Sequence, residues 1–190
     1  IKLLEIIDNL AKTGLSIIMS SHFPDHAFLS STKVAIMKDK KFIDFGAPED
    51  IVSEENFGFS GCSSLKSIKI PDKFTSIGKR VFYNCSSLSN VEIPSTVTSI
   101  EDEAFYGCSS LNSIEIPDSV TSIGTCAFGG CSSLSGIKIP DGVTSIGISA
   151  FSGCEKLSSV EIPNSVTSIG NSAFYNCYNL YDITIYDNIT

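Results

Sequence analysis

The sequence predicts a repeat solenoid of short parallel strands, mostly β and turn, preceded by a short α/β segment. Three observations predict it. Ile-Pro recurs every 23 residues, at Ile70-Pro71, Ile93-Pro94, Ile116-Pro117, Ile139-Pro140 and Ile162-Pro163. Phenylalanine keeps the same interval at Phe59, Phe82, Phe105, Phe128, Phe151 and Phe174, and cysteine keeps it at Cys62, Cys85, Cys108, Cys131, Cys154 and Cys177. Residues 1–57 share none of this pattern. A fixed period of this size marks a chain whose units cannot bury an apolar face alone and bury it against their neighbours.

The N-terminal segment reads as follows. Leu3, Leu4, Ile6, Ile7 and Leu10 have helical spacing, and Lys12-Thr13-Gly14 ends that helix. Leu15 to Met19 is a continuous apolar run expected to be a buried strand. Ser20 to Ala27 follows as a loop entering a short helix. Lys33–Met37 and Lys41–Phe45 predict a hairpin across Lys38-Asp39-Lys40. Gly46 to Ile51 begins a last helix, with Pro48 and acidic residues in its first turn. His22 and His26, with Asp25 between them, have the spacing of a helical metal pair, but Pro24 interrupts any helix through both. Lys38, Lys40 and Lys41 are expected at a solvated hairpin tip.

The repeat reads Leu-x-x-Ile-x-Ile-Pro-x-x-Val-Thr-Ser-Ile-Gly-x-x-Ala-Phe-x-x-Cys-Ser-Ser. Ile114-Glu115-Ile116 alternates with period two, which predicts a short strand with one buried face. Pro117 ends it, having no N–H for a ladder. Val120 and Ile123 form a second apolar pair. Gly124 is expected to allow a bend, as are Gly78, Gly147 and Gly170. Glu101 replaces that glycine in one unit, at a backbone cost if the position needs positive φ. Ala127-Phe128 points inward, and Ser132-Ser133 leads to the next unit. Burying about five such side chains per unit, at roughly 1.5–3 kcal/mol each, is the term that offsets chain ordering.

These columns resemble the BspA-like leucine-rich repeat family, over residues 58–190. The resemblance implies a curved leucine-rich-repeat solenoid of about five and a half units, with a parallel strand per unit on the concave side. Val81 in place of alanine and Tyr186 in place of a sixth proline are small departures. Ile189-Thr190 opens another unit, so the chain is expected to be truncated there. Residues 1–57 resemble the C-terminal end of an ABC-transporter ATPase subunit of the iron-complex or cobalamin importer type. The resemblance rests on Ser16-Ile17-Ile18-Met19-Ser20-Ser21-His22-Phe23-Pro24-Asp25-His26-Ala27 and on the Phe42–Glu49 ending. It places His22 at the nucleotide-switch histidine, as a remnant, and implies a transporter permease as partner only where an upstream ATPase domain exists. The chain itself has no phosphate-cradling G-x-x-x-x-G-K-[ST], no Asp-Glu pair after a strand and no LSGGQ-type signature. The chain is therefore read as inactive, with no enzyme function and no cofactor.

The 190 residues are 42 % hydrophobic and 18 % charged, a globular composition. The net charge is −8 and Arg80 is the single arginine, which argues against nucleic acid as partner. No run approaches the ~18 apolar residues of a membrane span. The cysteine column admits a disulfide ladder, since neighbouring rungs fall within the permitted separation. Buried thiols used as small apolar groups are the simpler account. A single-file column cannot converge on a metal. Cys126 lies outside the column and is expected to be exposed.

The function read from this pattern is a non-catalytic protein-interaction or adhesion module. Outward strand positions vary while inward ones do not: Lys69, Glu92, Glu115, Lys138 and Glu161 form one column, with Asn90, Asn112 and Tyr181 alongside. A second outward strip carries Tyr83, Tyr106 and Tyr175, near Glu101, Asp102 and Glu103. The partner is expected to be a protein, of an identity the sequence does not disclose. The two resemblances imply different locations. The repeat family points to a cell surface or the exterior, and the ATPase-like segment points to the cytoplasmic side of a membrane.

Overall fold

The computed structural model describes residues 16–17, 26–29, 34–38, 41–46, 59–186 and 189. Four strands precede the repeats: β1 (Ser16–Ile17), β2 (His26–Leu29), β3 (Val34–Lys38) and β4 (Lys41–Gly46), paired antiparallel in that order. The β3–β4 hairpin lies where the lysine-tipped turn predicts it, with a register shift between Ile36 and Met37. β2 corrects the expected short helix. Its four residues bridge β1 and β3. A helix this short gains one or two internal bonds for a costly nucleus, and two ladders outweigh that. The helices expected over 3–10 and from Pro48, and the candidate His22, lie outside the described residues.

From Phe59 onward the repeats contribute short parallel strands to two ladders, two strands in each of the first, second, fourth and fifth repeats. One ladder runs without interruption through β6 (Ser76–Ile77), β8 (Ser99–Ile100), β9 (Ser122–Ile123), β11 (Ser145–Ile146) and β13 (Ser168–Ile169). The other is split. β5 (Ser67–Lys69) pairs with β7 (Asn90–Glu92), while β10 (Ile137–Lys138), β12 (Ser159–Glu161) and β14 (Asp182–Thr184) form a separate sheet. No helix occurs among the described residues.

The third repeat corrects a strand expectation. Residues 111–116 form no strand. Among the described residues, no hydrogen bond joins 113–116 to either neighbouring repeat. Two features of the sequence act here. The ladder serines Ser89, Ser135 and Ser158 each donate a hydroxyl to the carbonyl of the preceding repeat. Asn112 stands in that column, and its side-chain amide oxygen accepts a bond from the Ser113 hydroxyl instead. The 23-residue register also sets Glu115 beside Glu92, a like-charge pair that disfavours close strand pairing.

The interior is a set of aligned columns. Successive phenylalanine rings from Phe59 to Phe174 stack with centroids 5.2–5.4 Å apart and planes within 12°. Leu88, Leu111, Leu134 and Leu157 are fully buried beside them, as are Val97, Val120, Val143 and Val166. Thr98, Thr121, Thr144 and Thr167 add an exposed hydroxyl ladder, each bonding the threonine carbonyl of the unit before.

The bend chemistry differs from the expectation. Gly124, Gly147 and Gly170 do not take positive φ. Left-handed residues come two positions later, at Arg80, Glu103, Cys126, Ser149 and Ser172, with φ of 52–58°. What the glycine column provides is room. A Cβ on Gly124 would stand 2.6 Å from the backbone of Glu101 and Asp102 in the preceding unit. Glu101 sits at this position in the second repeat, and its N–H keeps the rung bond to Ile77 O at 2.9 Å, against 2.8 Å for Gly124, Gly147 and Gly170.

The column cysteines are thiols. Five of the six, from Cys85 on, donate to a phenylalanine carbonyl of the unit before: Cys85 to Phe59 at 3.1 Å, Cys108 to Phe82 at 3.1 Å, Cys131 to Phe105 at 3.2 Å, Cys154 to Phe128 at 3.3 Å and Cys177 to Phe151 at 3.2 Å. They therefore tie turn to turn as well as fill space. Burial pushes the Cys108 thiol up to about 12 and raises Cys131 and Cys154 likewise. Thiols of the unfolded chain ionise near 8.5. Above that pH the unfolded chain binds fewer protons than the native one, so stability falls as pH rises. The expected slope approaches ~1.4 kcal/mol per pH unit for each buried thiol between about pH 8.5 and 12. Urea midpoints at pH 7 and pH 10 measure it, and equal midpoints would contradict the buried column.

Candidate interaction surface

The strand face is built by alternation. In β5, β7 and β12 the central residue is buried and its two neighbours are exposed. That places Lys69, Asn90, Glu92 and Glu161 outward on one face, with Glu115 and Lys138 also exposed. Strand register brings Lys69 against Glu92, and Lys138 against Glu161. Lys69 Nζ lies 3.3 Å from Glu92, both well exposed, so the pair contributes under about 1 kcal/mol. Glu115 has no ion-pair partner among the described residues. Asn112 is exposed at the start of the third repeat. Tyr181 is 84 % exposed but stands in the last repeat, so it does not join that group.

Two grooves score this face. One, of about 510 Å³, lies at the split between the second and third repeats and is lined by Asn90, Glu92, Ile93, Ser95, Ser113 and Glu115, among others. The second, of about 440 Å³, is lined by Lys138, Ile139, Asp141, Glu161, Asn164 and Tyr186. Ile93 is only half-buried, whereas Ile70, Ile116, Ile139 and Ile162 of its column are buried. Sequence reading missed both grooves; the first comes from the broken ladder and not from any residue type, while the second lies beside the paired strands β10 and β12.

The tyrosine strip is more ordered than the sequence suggests. The Tyr83 and Tyr106 rings stack at 5.1 Å, and the Arg80 guanidinium lies 5.5 Å from the Tyr83 ring centre. Arg80 donates two hydrogen bonds to Glu103, at 2.7 and 2.9 Å. Those bonds hold the Glu103 carboxyl below its ordinary range, against the opposing effect of burial. Lys79 lies 3.8 Å from Asp102, whose other oxygen accepts the Thr125 N–H at 2.8 Å. Arg80 and Glu103 occupy one column of the repeat, so their meeting was readable from the 23-residue spacing. Tyr175, 62 % exposed, is three repeats from Tyr106 and does not join the stack. Cys126 is half-buried, and its thiol is raised by burial and by the neighbouring Glu103 and Asp102 carboxylates. It is therefore a less ready nucleophile than an exposed thiol.

The model of the BspA type leucine rich repeat region matches residues 32–118 and 98–190, in six copies. The chain belongs to the BspA-type leucine-rich repeat family. The match reaches back to residue 32, into the segment that resembles a transporter ATPase. Among solved structures, a leucine-rich repeat protein of T. pallidum is 35 % identical over 67 % of this chain, with a TM-score of 0.65. One from Bacteroides ovatus is 26 % identical over 90 % of this chain, with a TM-score of 0.61. The pneumococcal vaccine antigen PcpA, 24 % identical over 66 % of this chain and 32 % of its own, shares the fold at a TM-score of 0.57. The chain spans 59 % and 54 % of the length of the first two. Comparison with curated proteins returns no significant match.

For a BspA-type repeat protein the buried columns are scaffold. Their chemistry is taken up by stacking, ladder bonds and turn ties. What they leave exposed is the strand face with its grooves and the tyrosine strip. No helix among the described residues is long and apolar enough to cross a membrane.

Proposed function

We propose that the chain is a non-catalytic interaction module that presents its strand face to a protein partner. One observation carries this reading. Buried positions repeat the same apolar type from unit to unit, while the exposed positions between them change from Lys69 to Glu92, Glu115, Lys138 and Glu161. A scaffold needs uniform columns; a recognition surface needs varied ones. The family resemblance favours an adhesive, cell-surface setting. The alternative, a piece of an importer ATP-binding subunit with a repeat extension, rests on the likeness of residues 1–57 alone.

The test is site-specific photo-crosslinking. A crosslinker at position 138 or 161 should trap a discrete protein in extracts of the organism that carries the gene. One at Thr144, exposed on the uninterrupted ladder side, should trap none. Equal yields from both faces would remove the assignment. Glu115→Ala serves as the folding control and should change stability by less than about 0.5 kcal/mol.

A further inference from the structure

The groove between the second and third repeats has three properties that belong together. It is the place where the strand ladder is interrupted, while the phenylalanine stack and the second ladder run through it. The N–H and C=O groups of residues 113–116 have no backbone partner among the described residues. Its rim carries two carboxylates, Glu92 and Glu115, from consecutive repeats. Lys69 pairs with Glu92 from one side; Lys138 follows Glu115 in the same column, and no ion pair joins the two among the described residues. The remaining polar lining, Asn90, Ser95 and Ser113, offers hydrogen bonds without charge.

We propose that this groove takes a basic side chain, arginine or lysine, from an extended segment of the protein partner. The proposal rests on the strand-face reading above and adds the partner's chemistry to it. The geometry suits an arginine best. Its planar fork can bond two carboxylate oxygens at once, and two carboxylates on neighbouring rungs offer them. An extended segment carries its own unpaired backbone groups, and residues 113–116 can meet them as a strand edge would. The half-buried Ile93 supplies an apolar wall for the methylene stem of such a side chain. Charge complementarity also suits the whole molecule, which carries a net charge of −8.

The probe is an acetylated, amidated heptapeptide with arginine at alternate positions, beside its glutamate counterpart. Fluorescence anisotropy at low salt reads its binding to the intact chain. The arginine peptide should bind saturably, lose most of that binding in 0.5 M NaCl, and bind at least fivefold more weakly to the Glu92→Gln/Glu115→Gln variant. A control variant, Asp72→Asn/Glu155→Gln, changes net charge equally at two exposed residues outside both grooves and should bind within twofold of the parent. Melting curves verify that both variants fold. Equal weakening by the control would show attraction to overall charge and overturn the proposal. So would binding of the glutamate peptide, or no binding of the arginine peptide. If crosslinking at 138 or 161 still traps a partner in that case, the strand-face reading stands and only the basic-segment inference falls.

Discussion

Replacing Phe128 by alanine is expected to destabilise the chain by about 3–5 kcal/mol. Phe128 is fully buried and has a ring on each side, Phe105 at 5.3 Å and Phe151 at 5.4 Å. Truncation removes its own transfer free energy and leaves a void that two flanking units cannot close independently. Each stacked contact contributes about 0.5–1.5 kcal/mol beyond area burial. The cavity also sits where Cys154 donates to the Phe128 carbonyl, so turn and core loosen together. The melting temperature should fall by roughly 2–4 °C for each kcal/mol lost. Phe174→Ala is the internal comparison. Phe174 has one stacked neighbour and is only half-buried, so its loss should be clearly smaller. Equal losses at the two sites, or a loss below about 1 kcal/mol at Phe128, would show that the ring column does not carry the fold.

Gly147→Ala is expected to cost about 2–3 kcal/mol, a large effect for one methyl group. A Cβ there would collide with Gly124 and with the Thr125 nitrogen, all backbone, so no side chain can swing aside. The rung must open to admit it. Opening strains the bond from Gly147 N–H to Ile123 O, now 2.8 Å. Gly136→Ala is the matched control: nothing lies within 4 Å of its added Cβ, so the same change should be near neutral. Thermal melts of both variants separate the two accounts of glycine in this repeat. If Gly147→Ala were as mild as Gly136→Ala, close stacking would not be the reason for the column.

How much was legible follows from what each feature depends on. The phenylalanine, leucine and cysteine columns were legible because stacking identical units puts equal positions in contact, whatever the details. The outward placement of Lys69, Glu92, Glu115, Lys138 and Glu161 was legible because alternation along a strand has a fixed period. Three things were not. The strand expected at Ile114-Glu115-Ile116 fails although its pattern is regular, since pairing depends on Asn112 and on which charge stands in the next rung. The glycine column was assigned to backbone freedom, while its role is steric and concerns the neighbouring unit. His26–Leu29 was read locally, and its two antiparallel partners lie elsewhere in the chain.

The sequence by itself determined the architecture of this protein: the period, the stacked interior and the division between inward and outward columns. These are consequences of repetition, and repetition is written in the order of residues. Only the tertiary structure decided where the strand face opens into grooves. The groove at Glu92 and Glu115, the Arg80–Glu103–Tyr83 cluster and the thiol ties from turn to turn depend on spacing between rungs, which is a balance of packing, charge and ladder bonds. That balance belongs to pairs of units, and no single unit's sequence states it.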